Sequence, residues 1–317
     1  MKITVLDSET LGVDLDLSPL FEVMETEIYK NTDPEEVASR IVESDVVIIN
    51  KVKLNEVNLA NAKNLKLICL AATGYDNVDV AYCKKVGIGV CNVVGYSTQS
   101  VAQITVATVL SLVSHLHEHS ETVRSGRYSA SGVANSLTPV YHEIAGKTWG
   151  IVGYGNIGKQ VARVAEALGC KVIYTRQTPD ENAACVSLPT LCAESDIITV
   201  HTPLSDSTRG LISADMIALM KNDAVIVNEA RGAVTDEAAI AKAVKEGRIG
   251  AFGCDVFSVE PFGTDHPFYD IKELSNVCLT PHMAWGAYES RVRCLNEIVL
   301  NIKAFFNGEI RCRVDLK

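Results

Sequence analysis

Short apolar runs alternate with polar, helix-like stretches along the first hundred residues. The runs are rich in Val and Ile, and they are Ile3 to Leu6, Val46 to Asn50, Leu67 to Ala71 and Gly89 to Val93. Because strands of a parallel sheet are buried on both faces and joined by crossover helices, this pattern predicts a parallel α/β unit. The rhythm returns from residue 148 and predicts six more strands: Thr148 to Val152, Lys171 to Thr175, Asp196 to Val200, Ala224 to Asn228, Gly250 to Asp255 and Asn276 to Leu279.

Helical segments separate and follow the two groups of strands. The stretch from Thr98 to about His115 is apolar on nearly every face, so it predicts a buried helix. Residues 118–146 lack clear periodicity, which indicates either a long excursion or an arm that packs on a partner chain. Capping chemistry predicts a helix from Asp236 to Glu246, capped by Thr235 and ended by Gly247, and the spacing predicts a last helix from about Ala287 to Asn307.

Length and composition narrow the number of domains, the class of partner and the cellular location that we expect. A chain of 317 residues favours two domains, and 47% hydrophobic with 21% charged residues is ordinary for a globular protein. A net charge of −10 disfavours nucleic-acid partners. We find no stretch that could span a bilayer and no signal-peptide core, so we expect a cytoplasmic protein that does not bind membranes. The ten cysteines form no CxxC pair and predict reduced, mostly buried thiols.

The segment Gly153-Tyr154-Gly155-Asn156-Ile157-Gly158 matches the pattern GxGxxG. It follows one predicted strand directly and opens the helical run from Lys159 to Leu168, which is the context that dinucleotide binding requires. The first glycine makes the tight turn, the second lets the backbone approach a pyrophosphate, and the third lets helix and strand pack closely. The helix N-terminus then offers N–H groups to the phosphates. These residues predict a Rossmann-type dinucleotide site.

Arg176 bears on the choice between NADP and NAD. NAD-selective sites carry an acid at the end of the second strand to bind the ribose 2′-OH, whereas this chain has Thr175-Arg176 there and no acid before Asp180. A guanidinium suits a 2′-phosphate, so the sequence favours NADP and leaves NAD as the alternative.

Three further segments start at the carboxyl ends of predicted strands, where open α/β sheets bind ligands. They are Asn228-Glu229-Ala230-Arg231-Gly232, Asp255-Val256-Phe257-Ser258-Val259-Glu260-Pro261 and Thr280-Pro281-His282-Met283-Ala284-Trp285. One Arg, one Glu and one His therefore reach the same edge as the phosphate loop. Each alone is compatible with a structural role, but three residues with catalytic chemistry in common are not easily explained as packing.

With the phosphate loop, these segments resemble the D-isomer-specific 2-hydroxyacid dehydrogenase family over essentially the whole chain. The stretch Ala71 to Asp79 resembles the substrate-carboxylate loop of that family. His282-Met283-Ala284-Trp285, with Asn50-Lys51, looks most like its hydroxypyruvate reductase (glycerate dehydrogenase) branch. The resemblance implies two Rossmann- or flavodoxin-like parallel-sheet domains with a cleft between them. Residues 1–98 with 286–317 would form the substrate domain, and residues 99–285 the cofactor domain, with a dimerisation arm at about 118–146.

The reduction of a small 2-keto acid to the D-2-hydroxy acid assigns a role to each segment. His282 is the natural general acid, Glu260 pairs with its ring and favours the imidazolium, and Arg231 grips the substrate carboxylate and polarises the keto oxygen. The resemblance implies that Asp255 holds the nicotinamide carboxamide. It also implies cofactor contacts at Thr98, Thr175, Thr202, Pro203 and Ala230, and substrate contacts at Asn50, Lys51, Thr73, Gly74, Tyr75 and Trp285.

Several alternatives stay open at the level of sequence. The same architecture serves co-repressors that bind a dinucleotide and a peptide, because a fold does not fix a function. D-lactate and phosphoglycerate dehydrogenases are alternatives within the family. His115 and His119 would share a helix face, but with no third ligand evident we expect no metal site and a solvated or interface face. We expect a homodimer and a small 2-keto or 2-hydroxy acid as the partners of this chain.

Overall fold

The fold is given by a computed structural model that describes residues 1–316. The chain divides into two compact units: residues 1–97 with the segment from Trp285 onward form the first unit, and residues 98–284 form the second.

Eleven strands and twelve α-helices make up the two units in the described residues. The strands are β1 (Lys2–Val5), β2 (Glu25–Ile28), β3 (Val46–Ile49), β4 (Leu67–Leu70), β5 (Gly89–Cys91), β6 (Thr148–Val152), β7 (Lys171–Thr175), β8 (Ile197–Val200), β9 (Val225–Asn228), β10 (Ala251–Cys254) and β11 (Val277–Leu279). The helices are α1 (Ser18–Phe21), α2 (Val37–Ile41), α3 (Glu56–Leu59), α4 (Val80–Val86), α5 (Thr98–Val113), α6 (Leu116–Arg124), α7 (Arg127–Ser131), α8 (Asn156–Ala167), α9 (Leu188–Glu194), α10 (Ala214–Leu219), α11 (Glu237–Lys245) and α12 (Tyr288–Phe306).

Both sheets are parallel throughout and share one connectivity. The first unit has the order β2-β1-β3-β4-β5, and the second has β11-β10-β9-β8-β6-β7. Counted from the first strand of each unit, both run 2-1-3-4-5, and the second adds a sixth strand. In such sheets the ligand crevice lies where the strand order reverses, which here is the gap between β6 and β8 in the second unit. The prediction of two parallel-sheet α/β domains is confirmed.

The apolar runs form strands because both faces of each sheet are covered. All four residues of β3, β4, β8 and β9 are buried. In the second unit one face packs against α5 and α8, where Trp149, Val161 and Val109 are fully buried, and the other face packs against α10 and α11. Burying such side chains stabilises the fold by roughly 1.5–3 kcal/mol each.

One strand is absent from the sequence prediction. Strand β2 pairs with β1 alone, at the edge of the first sheet, and its sequence is Glu-Thr-Glu-Ile with no fully buried residue. An edge strand needs only one hydrogen-bonded neighbour and tolerates charge, so its sequence lacks the apolar signal of the central strands.

Residues 118–146 contain α7 and most of α6, and neither helix buries a residue, which explains why no apolar periodicity marks this segment. One local expectation is wrong. Thr235 does not cap α11. The side chain of Asp236 accepts the hydrogen bond from Ala239 N at 3.0 Å, while Thr235 Oγ1 donates to Gly232 O.

No single helix within residues 1–316 combines the length and the apolar character needed to cross a membrane. Helices α5 and α6 reach that length and composition only as a pair, and the pair is bent by 65°.

Candidate active site

The glycine-rich loop joins β6 to α8 at the reversal of strand order. Gly153 has a φ of 98°, and a Cβ there would lie 2.7 Å from the backbone of His201 and Thr202, which follow β8. A Cβ at Gly158 would overlap the carbonyl oxygen of Gly153. Any larger residue at either position would therefore push apart β6, β8 and the start of α8.

The second glycine of the loop faces open space. A Cβ at Gly155 would have no heavy atom within 4 Å, and Gly155 is the N-cap of the twelve-residue helix α8 without a side chain to satisfy the first-turn N–H groups. An open approach to uncapped N–H groups at the positive end of a helix dipole suits the pyrophosphate of a dinucleotide. The residues present therefore fit such a cofactor.

Arg176 follows the last residue of β7 and is paired with Asp180. The distance from Arg176 Nη1 to Asp180 Oδ2 is 3.1 Å, and both side chains are partly exposed. Asp180 also accepts hydrogen bonds from the hydroxyl of Tyr174 at 2.9 and 3.0 Å. The Tyr174 ring stacks on Tyr154 of the glycine-rich loop, with the ring centroids 3.7 Å apart. The stack ties the phosphate loop to the strand end that carries the arginine.

Four of the other residues expected at the cofactor lie at strand ends of the second sheet. The carbonyl oxygen of Thr175 accepts a hydrogen bond from Gly153 N at 3.0 Å. Thr202 and Pro203 follow β8, and Ala230 follows β9, where its N–H donates to Asn228 Oδ1 at 3.0 Å. Thr98 begins α5.

His282 and Glu260 form a hydrogen-bonded pair. His282 Nδ1 lies 2.6 Å from Glu260 Oε2, and the side chains are 21% and 29% exposed, so the pair is reachable by a small molecule. The other oxygen, Glu260 Oε1, accepts a hydrogen bond from Phe257 N at 2.9 Å. Because a carboxylate held against Nδ1 orients the ring, the pair suits a proton donor acting through Nε2.

Asp255 fixes the segment that carries His282. Its carboxylate accepts hydrogen bonds from Thr280 Oγ1 at 2.6 Å and from the N–H groups of Met283 and Ala284, each at 2.8 Å. Within this clamp His282 has a φ of 53°, a left-handed conformation that is uncommon for histidine and costs free energy unless its surroundings enforce it. Burial raises the pKa of Asp255, and the three donors oppose that effect.

Arg231 is half-buried just after β9. Its Nη1 donates to the carbonyl oxygen of Ala230 at 2.9 Å, and its own carbonyl oxygen accepts from Asn228 Nδ2 at 3.0 Å. The next residue, Gly232, touches the backbone of Phe257 and Ser258 so closely that a Cβ could not be placed there. The arginine loop and the Glu260 loop are therefore packed against each other.

A buried acid orders the Asn50-Lys51 segment of the first unit, and sequence reasoning missed it. Asp7 is 3% exposed, and its carboxylate accepts from the N–H groups of Asn50 (2.9 Å), Lys51 (2.6 Å) and Val52 (3.0 Å). Burial raises the pKa of Asp7, and these three bonds oppose it. Its position just after β1, at the carboxyl edge of a strand, is the signal that would have identified it.

The second predicted substrate segment of the first unit is tied to the same region. Asn77 Nδ2 donates to Val52 O at 2.9 Å, and Thr73 Oγ1 donates to Val93 O at 2.7 Å. Gly74 and Tyr75 lie in the same loop, with Tyr75 38% exposed. Trp285 packs edge-to-face on Tyr96, with ring centroids 6.1 Å apart, and borders the apolar core of this unit.

Three buried side chains of the second unit have polar atoms with no hydrogen-bond partner within residues 1–316: Ser195, Glu229 and His201, of which the last two are ionisable. Both carboxyl oxygens of Glu229 are such atoms, and burial, followed by the charge of Asp255, raises the pKa of Glu229 well above its usual range. Both ring nitrogens of His201 are also without a partner, and burial lowers the pKa of His201 to about 3. At neutral pH His201 is therefore uncharged.

The depressed pKa of His201 predicts acid sensitivity. The unfolded chain takes up the proton near pH 6.5 and the folded chain only near pH 3, so the free energy of unfolding falls as pH drops through that window. We expect His201→Gln to lessen the loss between pH 7.5 and 5.5 by about 1 kcal/mol, measured by urea unfolding. The exposed His142, changed to Gln, is the control. An unchanged loss in His201→Gln would contradict the prediction.

The histidines before the arm do not share a helix face. His115 precedes α6 with a φ of 49°, and its Nδ1 lies 2.6 Å from Glu118 Oε2. His119 Nε2 lies 3.1 Å from the carbonyl oxygen of Pro139. Across the described part of the chain, no group of three or more His, Cys, Asp or Glu side chains could hold a metal ion.

Comparison with known proteins agrees with this geometry. Residues 106–284 match the family described as D-isomer specific 2-hydroxyacid dehydrogenase, NAD binding domain. The chain is 36% identical to a hydroxypyruvate reductase of Blautia hydrogenotrophica, over 97% of this chain and 98% of that protein. It is also 36% identical to a glycerate dehydrogenase of Methylorubrum extorquens, over 97% of both proteins.

A solved structure extends the match to the whole fold. It is the NADPH-dependent glyoxylate/hydroxypyruvate reductase of Sinorhizobium meliloti in complex with NADP and malonate, with a TM-score of 0.85 and 28% identity over 99% of this chain and 96% of that one. The resemblance found in the sequence is thereby confirmed, and the dinucleotide is NAD(P). The chain belongs to the D-isomer specific 2-hydroxyacid dehydrogenase family and is an NAD(P)-dependent oxidoreductase.

Proposed function

We propose that the protein reduces hydroxypyruvate or glyoxylate to the corresponding 2-hydroxy acid, with His282 as the general acid. The observation that carries this proposal is the 2.6 Å pair of His282 and Glu260, in the same unit and on the same sheet edge as Arg231 and the phosphate loop. The substrate class is supported by the names of two relatives, a hydroxypyruvate reductase and a glycerate dehydrogenase, each matched over nearly its full length.

The chemistry divides between the cofactor and this chain. When bound, the reduced dinucleotide supplies the hydride that C2 of the keto acid receives. His282, with Nδ1 turned to Glu260, donates a proton from Nε2 to the carbonyl oxygen, and the Glu260 carboxylate orients the ring for the transfer. In the direction of oxidation the same nitrogen accepts the proton.

Arg231 and the first unit would orient the substrate. The planar guanidinium of Arg231 stays charged and matches a carboxylate with two parallel hydrogen bonds, while polarising the neighbouring keto oxygen. Asn50, Lys51, Thr73, Gly74 and Tyr75 are the substrate contacts that we propose from the first unit. Support for them comes from the order that Asp7 and Asn77 impose on the two loops.

A substrate panel tests this function. Oxidation of NADPH and NADH is followed with hydroxypyruvate, glyoxylate and pyruvate at subsaturating concentrations. We expect the highest kcat/KM with hydroxypyruvate or glyoxylate. A preference for pyruvate would indicate a D-lactate dehydrogenase instead, and no turnover with any keto acid would contradict the proposal.

We propose NADP as the preferred dinucleotide, because of Arg176. We expect Arg176→Ala to raise the KM for NADPH by about 10-fold or more with little change for NADH, since a charge-assisted hydrogen bond contributes about 1.5–3 kcal/mol. The measurement is kcat/KM with each cofactor at one fixed concentration of keto acid.

A change at Asp180, the ion-pair partner of Arg176, should have the opposite effect on the preference for NADPH. Asp180 holds the guanidinium at 3.1 Å and would compete with a phosphate for it. Asp180→Asn should therefore favour NADPH rather than disfavour it. A wild-type preference for NADH, or equal effects of Arg176→Ala on both cofactors, would contradict the assignment.

We also propose that residues 118–146 form a dimerisation arm. This segment and the adjoining start of α6 expose large apolar side chains, among them Leu116, Val123, Val133, Leu137, Val140 and Tyr141, each more than half exposed. Covering such side chains with a second copy would remove them from water. Light scattering should give about twice the mass of the 34.3 kDa chain, and a monomer at micromolar concentration would contradict the arm.

We propose a cytoplasmic location. All ten cysteines are free thiols in the structure, and seven of them are buried, which suits a reducing compartment.

A further inference from the structure

A second acid–histidine pair, which unlike the first is buried, is hydrogen-bonded to the loop that carries Glu260. Glu237, in the first turn of α11, and His266 are 9% and 5% exposed, and His266 Nε2 lies 3.0 Å from Glu237 Oε2. Ser258 completes the cluster. Its N–H donates to Glu237 Oε1 at 2.8 Å, and its hydroxyl donates to Glu237 Oε2. One carboxylate therefore accepts three hydrogen bonds from two other chain segments.

The cluster acts on the loop that carries Glu260. Ser258 stands two residues before Glu260, and the preceding residue, Phe257, donates its N–H to Glu260 Oε1 at 2.9 Å. From the other side Gly232 leaves no room for a Cβ against the backbone of Phe257 and Ser258. The loop is thus fixed between the arginine loop and Glu237, and the position of the Glu260 carboxylate depends on both.

The contacts of His266 show which of its ring nitrogens carries the proton. His266 Nδ1 accepts from Phe268 N at 3.2 Å, so the ring proton is on Nε2 and points at Glu237. The rings of Phe257, Phe262 and Phe268 surround His266, with centroids 4.9 to 6.0 Å away. The Glu237 carboxylate is the acceptor that matches all three donors. Because the rings exclude water, replacing one of its oxygens by a donor would leave a buried N–H or O–H group without an acceptor, which costs free energy.

We propose that Glu237 is a positioning residue for the reaction: through Ser258 it holds the Glu260 loop and thereby the alignment of Glu260 with His282. This inference rests on the proposed role of His282 and Glu260. It assigns no contact between Glu237 and the substrate. Its effect should therefore be confined to the step that uses the His282 proton.

The test is Glu237→Gln in the full-length enzyme, assayed with hydroxypyruvate and NADPH. Glutamine keeps the shape but turns one acceptor oxygen into an NH₂ donor, so either Ser258 N–H or His266 Nε2–H then faces another donor. We expect kcat to fall by about 10- to 100-fold, because small displacements of a catalytic group have effects of that size. The KM for the keto acid and the Kd of NADPH should stay near the wild-type values.

Two further variants keep the test decisive. Ser258→Ala removes one hydroxyl and leaves the backbone bond, so it should fold and lower kcat by about fivefold, the value of one hydrogen bond. Glu246→Gln, an exposed carboxylate that follows α11 and lies 4.0 Å from Lys242, is the matched control and should leave kcat unchanged. If Glu237→Gln does not fold, a wild-type kcat for Ser258→Ala overturns the proposal.

A double-mutant cycle separates positioning from general damage. If Glu237 acts through Glu260, adding Glu237→Gln to Glu260→Gln should lower kcat no further, because the two changes remove the same alignment. Multiplicative losses would overturn the proposal. A wild-type enzyme that reduces no 2-keto acid would contradict the proposed function itself, whereas an active wild type with unaffected Glu237→Gln and Ser258→Ala variants would contradict this inference alone.

Discussion

His282→Ala should lower kcat for hydroxypyruvate reduction by about 10²–10⁴-fold, the usual contribution of a positioned general acid or base. The variant keeps Arg231 and the phosphate loop, so the Kd of NADPH should stay close to that of the wild type. Steady-state kinetics gives the first quantity, and titration of the nicotinamide fluorescence gives the second. Together they separate a lost proton donor from a damaged cofactor site.

The control for this experiment is a histidine outside the proposed site. His142 is exposed in the segment 132–147 between α7 and β6, and His142→Ala should leave both quantities unchanged. Unchanged turnover in His282→Ala would refute the role of general acid. An equal loss of cofactor affinity would instead mean that residue 282 supports the second unit as a whole.

Arg231→Lys should lower kcat/KM by about 10²–10³-fold, as does the loss of a donor that stabilises developing negative charge. Lysine keeps the positive charge, but one ammonium cannot form the two parallel hydrogen bonds of a guanidinium with a carboxylate. The expected loss is shared between KM and kcat, because Arg231 would contact both the carboxylate and the keto oxygen. Initial rates over a range of hydroxypyruvate concentrations measure both.

A surface arginine provides the comparison. Arg163 is exposed on α8, where its Nη1 is 3.4 Å from Gln160 Oε1, and Arg163→Lys should behave as wild type. If Arg231→Lys also retains wild-type kcat/KM, charge alone is sufficient at this position and the bidentate grip is wrong.

The central strands could be predicted from the sequence because strands that are buried on both faces appear in it as apolar runs. All six strands of the second unit were expected within one residue of their observed ends. The clearest are β8 and β9, which are Val- and Ile-rich runs buried along their whole length. Strand β2 and helices α6 and α7 were missed for the opposite reason. None of their residues is fully buried, so no apolar periodicity distinguishes them from loops.

The same contrast holds for the proposed site. Arg231, Glu260 and His282 stood out because strand ends at one edge of a sheet converge, and the chemistry of the three side chains is complementary. Glu237 did not stand out, since it acts through hydrogen bonds to Ser258 and His266, 21 and 29 positions away, that only the fold brings together.

The kinetics of an Asp255 variant would be ambiguous, because the Asp255 carboxylate would have two roles. Its carboxylate gathers Thr280 Oγ1 and the N–H groups of Met283 and Ala284 on both sides of His282, whose φ is 53°. Removing that carboxylate would release the left-handed turn as well as any contact with nicotinamide. A kinetic defect in an Asp255 variant would then report two lesions at once, and the two would be distinguished only by comparing the reduced and the oxidised dinucleotide in binding experiments that involve no proton transfer.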